Sequence, residues 1–223
     1  KIEWISSSSS NPTVIKGSAQ PIIHRKQLII GFSNGEIAAF DKNNGQQLWK
    51  QQLHINQPTN SDFYLNDIDA TPKIADDIIF SSGNGSYFSA INAKNGQILW
   101  QQKISTISNF HLAGGFIFVI DNDNKLICLS QKNGKIKYIK QLKLLEDEDE
   151  PATKIIYISI NMIGDKLVAA DELSNLTVID PQNGKVEQIY KTGDKLFHEP
   201  IVVDGKIILH TLGAFTINLL KIW

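Results

Sequence analysis

The chain has one cysteine, Cys128, in 223 residues, so no intrachain disulfide can staple it. The count leaves the compartment open, because oxidising compartments also hold proteins without disulfides. Neither sign of charge is in excess: 22 Lys and Arg face 23 Asp and Glu, for a net charge of −1. A chain so balanced has no broad basic field to draw in nucleic acid or anionic lipid, and neither is expected as a partner. No apolar run approaches the ~20 residues that cross a bilayer. No stretch reads as an amphipathic helix for a membrane surface, and no signal peptide is visible. The chain opens at Lys1, without Met, in the middle of what reads as a repeat, as expected of a mature or truncated piece.

Catalytic signatures are missing too. The five histidines, His24, His54, His111, His198 and His210, show no metal-ligand spacing such as H-x-x-x-H. No Ser-His-Asp arrangement is legible, and no G-x-S-x-G elbow occurs. SNGE and GNGS look like glycine loops, but no helix follows them to hold a phosphate, so they read as hairpins. DNDN, Asp121 to Asn124, begins like a calcium loop. It continues K-L-I-C, without the glycine and the distant glutamate such a loop needs, and reads as a turn. No cofactor and no metal are expected.

What the chain has is repetition. AAFDKNNGQQLW, Ala38 to Trp49, returns as SAINAKNGQILW, Ser89 to Trp100. Four turns end in Asn-Gly: Asp41–Gly45, Asn92–Gly96, Ser130–Gly134 and Asp180–Gly184, with their glycines 51, 38 and 50 residues apart. Asn-Gly between two β-rich runs signals a hairpin, because both residues tolerate positive φ. Two further apolar runs, joined by another tight turn, precede each of these hairpins. The unit is therefore four short antiparallel strands, and units of this kind at this period are β-propeller blades. The expected fold is all-β, a β-propeller of four-stranded antiparallel blades, with about five blades present.

Trp49 and Trp100, with Tyr138 and Tyr190 near the same place, close the fourth strands and are expected to fill the wedges between blades. The small residues Ala39, Ala90, Cys128 and Val178 match in register and let sheets approach closely. Along the chain this gives a blade remnant over 1–5, a linker over 6–17, and blades at about 18–54, 69–105, 106–143, 154–191 and 195–223. Lys1–Trp4 reads as an orphan fourth strand, which either pairs with the last unit or ends a preceding blade. The acidic run Glu146–Glu150 reads as solvated loop.

The pattern A-x-D-x-x-x-G-x-x-x-W is met by Ala39, Asp41, Gly45 and Trp49, and with Asn for Asp by Ala90, Asn92, Gly96 and Trp100. It resembles the tryptophan-docking repeat of the pyrroloquinoline-quinone propeller superfamily. Gly134, Tyr138, Asp180 and Gly184 belong to later copies. Such a repeat speaks for fold, not function. A narrower resemblance lies in LNDIDATP (Leu65 to Pro72), with NPTVIKGSAQP (Asn11 to Pro21) upstream and EPIVVDGKIIL (Glu199 to Leu209) downstream. In this order the segments resemble the C-terminal part of the BamB family, lipoprotein subunits of the outer-membrane β-barrel assembly machinery.

That resemblance implies an eight-bladed ring, of which about five blades are here. It implies a non-enzymatic scaffold in the periplasm of a double-membrane bacterium, attached to the outer membrane only through an N-terminal lipid anchor absent from this chain. The implied partner is the barrel-assembly protein BamA, through its periplasmic domains, with nascent outer-membrane proteins as a further class. The implied partner surface maps onto Val14, Ile15 and Lys16 and onto Asp67 and Asp69. Read from the residues alone, Asp67 and Asp69 suit Asx-type caps of a blade's entry turn better than a carboxylate pair dividing acid and base duties, since His54 is the one histidine within forty residues. Two other functions stay open. A quinone-dependent propeller enzyme would by resemblance need calcium ligands and vicinal cysteines, and one cysteine removes that pair. A generic propeller module could also bind a protein of another pathway.

Overall fold

A computed structural model of the chain describes residues 3–5, 19–53, 68, 70–142, 155–192, 196, 200–203, 206–209 and 218–220. Every regular element among them is a strand, and the strands form four sheets of four and one of three. The first sheet holds β1 (Ile22–His24), β2 (Gln27–Gly31), β3 (Glu36–Asp41) and β4 (Gln47–Gln52). The second holds β5 (Lys73–Ala75), β6 (Ile78–Ser81), β7 (Phe88–Asn92) and β8 (Ile98–Gln102). The third holds β9 (His111–Ala113), β10 (Phe116–Ile120), β11 (Lys125–Ser130) and β12 (Ile136–Gln141). The fourth holds β13 (Tyr157–Ile163), β14 (Lys166–Asp171), β15 (Asn175–Ile179) and β16 (Val186–Lys191), and the three-stranded sheet β17 (Ile201–Val203), β18 (Lys206–Leu209) and β19 (Asn218–Leu220).

Neighbours in sequence are neighbours in each sheet, and every pairing is antiparallel. This is the up-and-down meander of a propeller blade. Burial explains which run became which strand. Glu36 to Phe40 of β3 and all of β15 are buried, so both faces of an inner strand are covered. β12 reads exposed at every position but Tyr138, as an outermost strand should.

The described chain divides into two compact units, residues 1–107 with 131–135, and residues 108–130 with 136–223. The first is held by a core shared between two sheets, built from Ile29, Ile37, Ala39, Trp49, Ile79 and Ile91. The second has two such cores. One joins Phe118, Leu126 and Cys128 to Tyr157, Ile160 and Leu167, and the other joins Val168, Leu176 and Val178 to Ile207 and Leu209.

One contact recurs along both units. Gly96 adopts φ +74°, and a Cβ built on it would lie 2.7 Å from Cε3 of Trp49. The indole therefore lies flat on a turn that only glycine can form without strain. Its Nε1 donates to the carbonyl oxygen of Ala93, three residues before that glycine, at 3.0 Å. Trp100 does the same over Gly134, donating to Gln131 at 3.0 Å. That contact accounts for residues 131–135 belonging to the first unit. Tyr138 covers Gly184 and donates through its hydroxyl to Pro181 at 2.9 Å. Trp4 covers Gly45 and donates to Lys42 at 3.0 Å, while Glu3, Trp4 and Ile5 pair with no strand among the described residues.

Three details differ from the sequence reading. The asparagines before Gly45, Gly96, Gly134 and Gly184 are not left-handed; only the glycines are. Each asparagine instead accepts the amide of the residue after the glycine, as Asn44 does from Gln46 at 2.9 Å and Asn183 from Lys185 at 2.8 Å. Secondly, Tyr190 is not at the docking register. The small residue of each inner strand pairs with the docking aromatic, Ala39 with Trp49, Ala90 with Trp100 and Cys128 with Tyr138, but Val178 pairs with Gln188. Tyr190 lies two residues on, opposite Leu176, and packs against the last core. Thirdly, a register shift follows the small residue in all four sheets, a bulge that the repeat pattern did not announce.

Gly96→Ala tests the docking contact against a glycine with the same backbone demand. At Gly115 (φ +78°) an added Cβ meets nothing within 4 Å, so Gly115→Ala should cost about 1–2 kcal/mol for the left-handed backbone alone. At Gly96 the collision with Trp49 adds about 1–3 kcal/mol. Urea unfolding should place the midpoint of Gly96→Ala clearly below that of Gly115→Ala.

Candidate functional site

Val14, Ile15, Lys16, Asp67 and Asp69, the residues mapped to a partner surface, lie outside the described residues, as does the acidic run Glu146–Glu150. Between the two aspartates, Ile68 is described and buried. Its amide donates to the carbonyl of Phe32 at 3.3 Å. Its side chain fills the space over Gly31, where a Cβ would come within 2.5 Å of Cγ2. The stretch LNDIDATP is thus tied at that residue to the turn between β2 and β3.

The described carboxylates of the repeat are occupied by their own turns. Asp41 accepts the Asn43 amide at 2.8 Å, and Asp180 the Gln182 amide at 2.8 Å. In the stretch that opens like a calcium loop, Asp121 accepts the amides of Asp123 and Lys125 at 2.9 and 2.8 Å. Its counterpart Asp171 is buried and accepts from Leu173 and from both the amide and the side chain of Asn175, at 2.9–3.2 Å. Burial pushes its carboxyl above the usual value, and the hydrogen bonds from Asn175 and Leu173 hold it partly back. Among the described residues no three His, Cys, Asp or Glu side chains gather as metal ligands would.

Cys128 is buried beside Tyr138, and desolvation pushes its thiol up to about 11, against smaller opposing effects of the Lys137 charge and the hydrogen bond with Tyr138. Desolvation likewise raises the Tyr138 hydroxyl, helped by Cys128 and Asp180. Neither is poised as a nucleophile at neutral pH.

A site the sequence reading missed lies within the first unit, where the β1–β2 hairpin faces the second sheet. A cleft of about 500 Å³ is lined by His24, Arg25, Lys26 and Gln27 on one side and by Asp77, Asn92, Ala93 and Lys94 on the other. Asp77 bridges the two sheets: His24 Nε2 lies 2.7 Å from one carboxylate oxygen, and Arg25 Nη2 donates to the other at 2.6 Å. The floor is firm, because the Ala93 amide donates to the Asp77 carbonyl at 3.0 Å and the Ala93 carbonyl takes the Trp49 indole. The signal was present in the sequence. HRK and DD stand at the same hairpin of successive repeats, with opposite charge, and only alignment of the hairpin tips brings them together.

The family model described as outer membrane protein assembly factor BamB matches residues 1–140. The outer membrane protein assembly factor BamB of Yersinia pestis is 24% identical over 221 residues, covering 96% of this chain and 54% of that protein. The chain spans about half the length of the curated relatives it matches. Among solved structures, BamB from Moraxella catarrhalis superposes with a TM-score of 0.77 at 14% identity, covering 92% of this chain and 59% of that one. The β-propeller domain of Myceliophteria thermophila Cps50 (Swd1) superposes with a TM-score of 0.64 at 12% identity, covering 90% and 65%. At these identities the two structures speak for the propeller fold alone.

Two predictions follow from the buried groups. With the Cys128 thiol at about 11 rather than 9.0, thiolate at pH 8 is about a hundredfold scarcer than in a free thiol, before burial slows access further. Alkylation should therefore be negligible in the folded protein and rapid in urea. Cys128→Ala, which places there the residue that the first two sheets hold at that register, should cost about 1 kcal/mol or less. Asp171 predicts a pH dependence. Its folded pKa lies above the ordinary 3.8, so its contribution to stability is fullest below 3.8 and is lost as pH rises through the folded value. Relative to Asp171→Asn, the parent should lose stability as pH rises from 3.8 through the folded value, read from urea midpoints at successive pH.

Proposed function

The chain belongs to the family of the outer membrane protein assembly factor BamB, and on that premise we propose that it is a non-enzymatic scaffold subunit of β-barrel assembly. It works on the periplasmic side of the outer membrane of a double-membrane bacterium and docks the periplasmic domains of a BamA-like barrel-assembly protein. The observation that carries the reading is the family match over residues 1–140, a span that includes both loops mapped to the partner surface. Asp67 and Asp69 offer carboxylates to basic groups of the partner. Val14 and Ile15 supply an apolar anchor beside the charge of Lys16. Small apolar anchors inside a charged rim make a specific interface without requiring a large one. Scaffolding also fits the chemistry of the described residues, where Asp41, Asp121, Asp171 and Asp180 are all engaged by turn amides.

The test is a titration of the chain against the purified periplasmic domains of the barrel-assembly protein from the same source. Beside it runs Asp67→Arg/Asp69→Arg, with circular dichroism confirming that both are folded. Saturable binding by the parent is expected, weakened at least about tenfold, or 1.4 kcal/mol, in the variant. Equal binding by parent and variant would remove Asp67 and Asp69 from the surface. No binding by a folded parent would sink the docking reading for this chain.

A further inference from the structure

The cleft between the first two sheets carries a charge pattern that the scaffold does not need, and we propose that it binds a phosphomonoester through Arg25, Lys26 and Lys94. Those three cations line the cleft against a single carboxylate, Asp77. That carboxylate is already engaged by His24 at 2.7 Å and Arg25 at 2.6 Å. Arg25, Lys26 and Lys94 against Asp77 leave two positive charges in excess, in a chain whose net charge is −1. A phosphomonoester at pH 7 carries about −1.5 to −2 and three strong acceptor oxygens, which matches both the excess and the number of cations. A lone carboxylate matches neither.

Geometry adds to the charge argument. Arg25 meets Asp77 through Nη2, which engages one end of its planar fork of donors. A guanidinium held in this way loses less freedom on binding than a loose one. Lys26 and Lys94 are exposed and act as point charges, the way lysines commonly meet phosphate. Asn92 holds its side-chain oxygen on the Lys94 amide at 2.9 Å, which turns its NH₂ away from that bond. The volume of about 500 Å³ exceeds what a bare phosphate fills and falls within the ~300–1,000 Å³ of small-molecule sites, so it takes the organic part of an ester as well.

The backbone points the same way. Arg25 (φ 53°), Asp76 (φ 49°) and Asp77 (φ 60°) are left-handed at the hairpin tips, where the third sheet has Gly114 and Gly115 and the fourth has Gly164. A side chain in that conformation costs about 1 kcal/mol or more. The two sheets that face each other across this cleft carry that cost, and with Arg25 and Asp77 at the tips they gain an ordered charge pair.

The phosphate can arrive on a soluble ester or on a lipid headgroup, and the experiment separates the two. Glycerol 3-phosphate is titrated calorimetrically into the chain in phosphate-free, low-salt buffer. In parallel, flotation is measured with phosphatidylcholine vesicles with and without phosphatidic acid. Each is repeated with Lys26→Glu/Lys94→Glu, whose fold is checked by circular dichroism and melting temperature; Lys26→Gln/Lys94→Gln replaces it should the reversal unfold. The parent should bind in at least one arm, and the folded variant should bind at least about tenfold more weakly. Binding to glycerol 3-phosphate assigns a soluble ester, and binding only to phosphatidic acid vesicles assigns a headgroup. No saturable binding in either arm, or equal binding by the folded variant, overturns the proposal.

Discussion

An aromatic ring lying on a left-handed glycine recurs along the chain, at Trp4, Trp49, Trp100 and Tyr138, and the rest of the structure is arranged to allow it. The ring needs a surface with no Cβ, which Gly45, Gly96, Gly134 and Gly184 supply. It also needs an acceptor for its N–H or O–H, since a half-buried indole with no partner would forfeit a hydrogen bond. That acceptor is always the carbonyl three residues before the glycine. In three of the four turns the carbonyl is held in place because Asp41, Asn92 or Asp180 at the head of the turn accepts an amide two residues on, and in all four the asparagine before the glycine accepts another. The bulge beside Ala39, Ala90 and Cys128 turns the outer strand where the aromatic leaves the sheet. Glycine, asparagine, bulge and aromatic thus form one device that joins a turn to the preceding strand.

This interdependence explains what could be read from the chain and what could not. Each partner in the device is a residue type with few substitutes, so the repeat showed itself in the letters D-x-x-N-G-x-x-x-W, and the strands followed as apolar runs between turns. The role of asparagine was misread because Asn-Gly is also the signature of a two-residue hairpin, in which both residues are left-handed. Only the longer turn, closed by the Gly45 amide on the Asp41 carbonyl at 2.8 Å, reveals the side-chain cap. Tyr190 was misread for a related reason. One face of a strand recurs every second residue, so an aromatic two positions late still faces the core, but opposite Leu176 rather than Val178. At the true register stands exposed Gln188, and among the described residues the fourth sheet meets the last one through aliphatic packing around Ile207 and Leu209.

The cleft at Asp77 was invisible for a different reason. Its residues come from one hairpin and, more than fifty residues on, from a second hairpin and a turn, as the separation of 53 between His24 and Asp77 records. Nothing local in HRK or DD distinguishes them from ordinary solvated tips. Composition misled as well: a net charge of −1 excludes a broad field but says nothing about cations gathered on one face. The loops mapped to a partner posed the opposite case. They were conspicuous only through resemblance, because Asp67 and Asp69 fit a capped turn as well as they fit an interface, and the letters alone gave no preference.

What separates scaffold carboxylates from others in this chain is the identity of their donors. Asp41, Asp121, Asp171 and Asp180 take backbone amides two to four residues away. Diverting any of them to a ligand would release the turn that fixes a docking carbonyl or a hairpin, so they are unavailable for other work. Asp77 takes side chains from another sheet, and its own backbone contributes to the fold through its carbonyl, which accepts the Ala93 amide. Its carboxylate can therefore change partners without loosening a turn. A propeller whose repeat carboxylates are consumed by architecture must place its recognition on residues the architecture does not use, and those lie at hairpin tips and in the connections between blades. The same logic reaches Arg25 with Asp77: rigid sheets fix where such residues stand, and the chain remains free to vary what they are.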